Sequence, residues 1–126
     1  MAAMRKALSH ANLYPDGNAF YLKQKLAGKL GVTPVNLILG NGSNEIIEFI
    51  GHALLSSDAE VVVSQYCFAV YPIVTALFNA KLVTVPARNY GHDLDAILAA
   101  ITPQTRWLLL NSPGNPTGSA YSAEQL

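Results

Sequence analysis

The sequence predicts an α/β fold, a mainly parallel sheet flanked by helices. Three observations carry that reading. Short apolar runs alternate with segments of helical period. The connections between them are brief and rich in Gly, Pro, Asn and Ser. Val61-Val62-Val63-Ser64 is a continuous β-branched run, the mark of a strand buried on both faces.

Each element follows in order. Leu22, Leu26 and Leu30 recur every fourth residue, with Lys23, Lys25 and Lys29 on other faces, so residues 18–30 read as an amphipathic helix. Asn18 is its expected N-cap and Gly31 its stop. A short strand is expected over Asn36–Leu39, broken by Gly40-Asn41-Gly42-Ser43-Asn44. Ile46, Ile47, Ile50, Ala53 and Leu54 give one apolar face of a second helix. After the Val61–Ser64 strand, Val70, Ile73, Val74, Leu77 and Phe78 keep helical spacing, and Lys81–Pro86 reads as a strand. Asp93 is placed to cap a helix carrying Leu94, Ile97, Leu98 and Ile101, closed by Thr102-Pro103. Arg106–Leu110 is a further strand, and Asn111–Ser119 is turn-rich. Ser122 followed three residues later by Gln125 matches a capping box and predicts a helix starting there.

A chain of 126 residues is one domain at most. Eight basic against eight acidic side chains argue against a cationic nucleic-acid binder or a polybasic membrane anchor. Charged residues are 13 % of the chain, against about 25 % in typical soluble domains. So few charges leave apolar surface that a partner covers, or that belongs inside something larger, and self-association of the isolated chain is expected. The single Cys67 forms no internal disulfide, which makes a reducing, cytoplasmic compartment the default. No apolar run follows Arg5 and Lys6 as a secretory signal requires. The charge-free stretch Val61–Ala80 is long enough to span a bilayer, yet it divides into strand, turn and helix patterns, so no membrane partner is expected.

In parallel sheets, ligands bind outside the carboxyl ends of the strands. Three segments are expected there. Gly40–Glu45 leads into a helix whose N-terminus favours an anion, with Ser43 and Asn44 able to donate. A capped turn that binds nothing explains the same residues. It is neither a Walker A loop nor a GxGxxG turn. Gln65–Tyr71 offers aromatics that can lie against a planar ring or simply fill a core. Asn111–Gly118 combines two prolines and two glycines, and Asn115 before Pro116 is biased to extended backbone that can aim its carboxamide. A purely structural loop remains open for it.

Ser112-Pro113-Gly114-Asn115-Pro116-Thr117-Gly118 resembles the Asn-Pro-Thr-Gly signature of fold-type-I pyridoxal-phosphate aminotransferases. Gly40–Glu45 is similar to the phosphate-cup turn of that family. Tyr14-Pro15-Asp16-Gly17, Gln65–Tyr71 and Tyr90–Asp95 look more narrowly like the histidinol-phosphate subfamily. The likeness covers essentially the whole chain. It implies that residues 1–126 are a partial cofactor-binding large domain, lacking the family's N-terminal arm and its C-terminal remainder. Ser43, Asn44 and the Gly42 backbone would hold the phosphate of pyridoxal 5'-phosphate. Phe68 would stack on the pyridine ring, and Asn115 would bond the ring's 3' oxygen. Tyr14 would reach the cofactor phosphate of the neighbouring subunit in a homodimer. Ser112 and Gly114 depart from the asparagines common in the subfamily. The reaction implied is amino transfer between L-histidinol phosphate and 2-oxoglutarate, an amino donor and a 2-oxo acid.

No catalytic residue is assigned. The family's Schiff-base lysine, its ring-nitrogen aspartate, a tyrosine and its carboxylate-binding arginine have no counterpart, and Lys6, Lys23, Lys25, Lys29 and Lys81 lack the lysine's motif context. The chain alone is therefore expected to be inactive. An inert cofactor-binding or interaction module, and a Rossmann-like binder of a nucleotide phosphate, are the competing readings. Cys67 reads as a small buried side chain. His10, His52 and His92 have no ligand spacing, which argues against a metal site; His52 is expected on a helix surface or boundary and His92 in the loop before the Asp93 cap. Asp93 with Asp95, and Glu45 with Glu48, read as caps and first-turn acids.

Overall fold

The computed structural model describes all residues, Met1–Leu126, which fall into two compact units, Met1–Leu39 and Gly40–Leu126. The first unit holds helix α1 (Ala2–Leu8), helix α2 (Phe20–Leu30) and a 3₁₀ turn over Pro34–Asn36. Helix α1 was not foreseen, and it buries no residue. Helix α2 begins two residues later than its pattern suggests. Ala19 is left-handed (φ 48°), and the Asp16 carboxylate accepts from the backbone N–H groups of Asn18 (3.2 Å) and Phe20 (2.7 Å). Asp16, not Asn18, thus serves the helix start. Gly31 closes it with φ 69°, as expected of an αL cap. The leucine stripe is only partly covered: Leu22 is 52 % and Leu30 60 % exposed, and Ala27 is the buried residue.

The strand expected over Asn36–Leu39 does not form. Thr33 and Asn36 cap one another around Pro34, whose ring fixes φ and removes a donor, so the chain turns instead of extending. Beyond it the backbone opens at Leu37 (φ −113°, ψ 125°) but joins no ladder.

The second unit is the expected α/β layer: helix α3 (Ser43–Leu54), strand β1 (Glu60–Ser64), helix α4 (Val70–Leu77), strand β2 (Lys81–Val85), helix α5 (Leu94–Ala99) and strand β3 (Thr105–Leu109). The three strands are parallel in the order β2-β1-β3. Val62 sits in register between Val83 and Leu108, and Val63 between Thr84 and Leu109. Every residue of β1 is buried, which is why its run is apolar on both faces. Val62, Val85 and Ile97 form the core, with Val83, Ala96, Leu108 and Leu110 packed on it. Each fully buried valine contributes about 1.5–3 kcal/mol relative to exposure. Helix α3 lies close to α4 at Gly51, where an added Cβ would come within 2.5 Å of the Phe78 ring and 3.0 Å of Val74.

Asp93 caps α5 by accepting from the Ala96 N–H (3.1 Å), as its position predicts. The helix expected from Ser122 is absent. Only the glutamine half of its capping box forms, Gln125 Oε1 accepting from the Ser122 N–H (2.9 Å), and the segment stays a turn. Large apolar side chains remain exposed on α4 and α5, among them Ile73, Leu77 and Leu98. No helix is long and apolar enough to cross a membrane.

Candidate functional site

Two of the three segments stand where the parallel sheet puts them: Gln65–Phe68 follows β1, and Asn111–Gly118 follows β3. Gly40–Asn44 follows no strand, because the one before it is missing. Its place is the N-terminus of the twelve-residue helix α3.

That turn is built by glycine. Gly42, the N-cap, has φ 84° and ψ 178°, a conformation that a side chain resists. Its N–H donates to the Gly40 carbonyl at 2.9 Å, and the Asn41 N–H and side-chain amide both donate to Glu45 Oε2. The Gly42 amide expected to face a phosphate is therefore engaged inside the turn, and Gly42 contributes the bend. Ser43 and Asn44 occupy the first turn, where backbone N–H groups have no partner within the helix. Both are exposed, so two amides, a hydroxyl and a carboxamide meet the positive end of the helix dipole. An anion fits there.

Phe68 is half-buried and meets Tyr71 edge to face, ring centres 5.7 Å apart. Burial pushes the Cys67 thiol above its ordinary pKa, as it does the Tyr71 phenol, so Cys67 is not an activated nucleophile. Tyr66 stacks on Tyr90 at 5.5 Å. Asn89 and Tyr90 both have positive φ (53° and 61°) between the paired Arg88 and Gly91, a two-residue turn of the I′ kind.

The Asn111–Gly118 loop is held from within. Asn111 Nδ2 donates to the Asn115 carbonyl (3.3 Å), the Gly114 N–H to the Ser119 carbonyl (2.7 Å), and the Gly118 N–H to the Gly114 carbonyl (2.7 Å). Both proline peptide bonds are cis. Gly114 is buried, and a Cβ there would lie 2.9 Å from both Thr117 Oγ1 and Ser119 Oγ, a hydroxyl pair that fills the space. The glycine that departs from the subfamily pattern thus fits its own neighbours. Asn115 is exposed on this braced loop. A cleft of about 470 Å³ lies beside it, lined by Asn89, Tyr90, Thr117, Gly118 and Ser119.

Tyr14 belongs to the first unit and is 98 % exposed. His52 lies on the α3 surface, against the Phe78 ring and 3.7 Å from Glu48. No three His, Cys, Asp or Glu side chains group as metal ligands. Lys81 Nζ bonds Glu60 at 2.6 Å, at the amino ends of β2 and β1. Five residues of strand, about 13–17 Å, separate it from the carboxyl ends. Two residues carry more than their sequence context suggests. His92 is buried and bonds Asn111, and Tyr121 stacks on it. His92 lies in the Tyr90–Asp95 segment that carries the subfamily resemblance, but neither residue belongs to a periodic face, and nothing in the sequence joins His92 to Tyr121, 29 residues on.

Residues 1–126 match the family model described as aminotransferase class I and II. The chain is 48 % identical over 124 residues to histidinol-phosphate aminotransferase 2 of Nitrosospira multiformis, covering 98 % of this chain and 32 % of that protein. It is 47 % identical over 126 residues to histidinol-phosphate aminotransferase 2 of Pseudomonas fluorescens, covering 100 % of this chain and 34 % of that one. The crystal structure of histidinol-phosphate aminotransferase from Sinorhizobium meliloti in complex with pyridoxal-5'-phosphate superposes with a TM-score of 0.87 at 32 % identity, over 98 % of this chain and 34 % of that chain. The chain spans about a third of the length of the curated relatives it matches. With a parallel α/β layer of the same architecture and a family match along its whole length, the chain belongs to the class I and II aminotransferases.

Proposed function

We propose that residues 1–126 form the cofactor-binding part of the large domain of a pyridoxal-phosphate aminotransferase acting between L-histidinol phosphate and 2-oxoglutarate in histidine biosynthesis, in the cytoplasm and as a homodimer. The observation that carries this is the α3 N-terminus, where exposed Ser43 and Asn44 offer donors to an anion. The relatives named above, all histidinol-phosphate aminotransferases, support the choice of amino donor.

The residues fit the cofactor's three chemical parts. Ser43 and Asn44 hold the phosphate dianion through the helix's positive end and direct hydrogen bonds. Phe68, at the end of β1, presents an aromatic face to the pyridine ring. Asn115, on its braced loop, donates its amide to the ring's phenolate-type oxygen and fixes the ring's rotation. Tyr14 serves the phosphate of the partner subunit's site. When bound, the ring supplies an electron sink for the charge that develops at the substrate's Cα.

This chain's own lysines do not supply the proton-transfer base. Lys81 is paired with Glu60 at the far end of the sheet, and Lys6, Lys23, Lys25 and Lys29 lack the motif context of the family's Schiff-base lysine. The 126-residue chain by itself is therefore inactive in transamination.

Titration with pyridoxal 5'-phosphate, followed by thermal shift, tests the reading. Stabilisation is expected, with Ser43→Ala/Asn44→Ala weakening affinity at least tenfold and leaving any binding of unphosphorylated pyridoxal unchanged. No stabilisation by the cofactor, or stabilisation by nucleotides alone, overturns it.

A further inference from the structure

The loop that bears Asn115 is anchored on one side chain outside it. His92 is 9 % exposed and precedes the Asp93 cap of α5. Its Nε2 lies 3.1 Å from the Asn111 carbonyl, where the loop leaves β3. Its ring stacks on Tyr121 at 5.2 Å, the planes 15° apart, where the chain leaves the loop. The Tyr121 hydroxyl accepts from the His92 N–H and lies 3.4 Å from the His92 carbonyl. The Tyr121 N–H donates to Ser112 Oγ at 3.0 Å, and Asn111 Nδ2 reaches the Asn115 carbonyl. Gly91 admits this arrangement, since a Cβ there would sit 2.5 Å from the Tyr121 hydroxyl. Entry and exit of the loop are thus tied to the same histidine.

A carbonyl only accepts, so Nε2 must carry the proton. The ring's Nδ1 is buried with no partner, as is Asn111 Oδ1. We propose that His92 is a positioning residue: its Nε2–H bond to Asn111 and its stack on Tyr121 set the rotation of the loop and hence the aim of Asn115 at the cofactor ring. The inference rests on the cofactor reading for what Asn115 meets, and on the structure alone for the clamp.

Two substitutions separate the donated hydrogen from the shape. His92→Phe keeps a stacking ring and removes the donor. His92→Gln places an amide nitrogen the same number of bonds from the backbone. In the 126-residue chain, His92→Phe is expected to speed hydrogen–deuterium exchange of the 111–119 segment and to weaken pyridoxal 5'-phosphate binding about tenfold. Inorganic phosphate, which needs only Ser43 and Asn44, should bind as before. His92→Gln should restore both exchange protection and cofactor affinity. Unchanged exchange and affinity in His92→Phe, or equal loss in both variants, overturns the proposal. If the unsubstituted chain binds no cofactor, the functional reading fails while the exchange comparison still decides the clamp. If His92→Phe does not fold, Tyr121→Leu takes its place by removing the stack: faster exchange of the loop supports the clamp, and unchanged exchange overturns it.

Discussion

The two ends of the sheet are built on opposite terms. At the amino end, the buried Glu60 carboxylate is answered on both oxygens. The Glu60 carboxylate takes Lys81 on one oxygen (2.6 Å) and the Thr102 hydroxyl on the other (2.6 Å), and Thr102 is itself fixed by Thr105. At the carboxyl end, donors are left facing outward. Beyond the strands Asn115 is exposed and Tyr90 holds left-handed backbone that costs roughly 1–2 kcal/mol, and at the α3 N-terminus Ser43 and Asn44 are exposed as well. One end is saturated and the other kept open, and a ligand needs the second. The same strands run through both, so stability gathered at one end holds the unsatisfied groups of the other in place.

Breaking what the two ends share gives the largest effect. Val62→Ala, at the middle of the central strand, should lower unfolding stability by about 2–3 kcal/mol through lost burial and an unfilled cavity, read from the denaturant midpoint. Equal stability would mean that the core closes around the smaller side chain. Next comes Gly51→Ala, which drives a methyl into Phe78 and Val74 and should cost about 1–3 kcal/mol. An unchanged midpoint would show that α3 moves freely off α4. Both variants act on packing behind the site, so inorganic phosphate should still bind wherever the chain is folded.

The core was legible in the sequence, the bonds on Glu60 were not, and the open end was legible only in part. Val61–Ser64 betrayed itself because a strand buried on both faces has no polar positions to alternate. Asp93 was readable because a cap acts on residues three positions away. Asn36–Leu39 was not, since a strand exists by its partner and the Thr33–Asn36 cap over Pro34 competes locally. Ser122 was misread because a capping box supplies only the start of a helix. Asn18 lost its role to Asp16 through one left-handed residue, Ala19, which no periodicity announces. The site segments were recognisable by composition, yet the engaged Gly42 amide and the His92 clamp depend on contacts between distant residues.

Strain at the open end can be weighed directly. Tyr90→Gly removes the left-handed penalty, about 1 kcal/mol, but also removes the stack on Tyr66, worth about 0.5–1.5 kcal/mol. The two should nearly cancel in the unaltered background. In a Tyr66→Ala background the stack is already gone, and Tyr90→Gly should then stabilise by about 1 kcal/mol. Failure to stabilise there would mean that the turn carries no strain.

The smallest effect belongs to the saturated end. Hydrogen bonds from Lys81 first, and then Thr102, hold the Glu60 carboxyl below the ordinary glutamate range. A carboxyl whose pKa is lower folded than unfolded binds fewer protons in the native state, so its contribution is present above about pH 4.3 and fades as acid protonates it. Lys81→Met removes the largest cause. The substituted chain should be less stable than the original at neutral pH, and the gap should narrow as the pH falls below about 4.3. The Lys81 side chain is 70 % exposed, so salt should shrink the gap as well. Parallel stability curves across that pH range would remove Lys81 as the cause. Affinity for pyridoxal 5'-phosphate should not move at all, because the pair lies a strand's length from the site. A change there would mean that the two ends are coupled through more than the shared core.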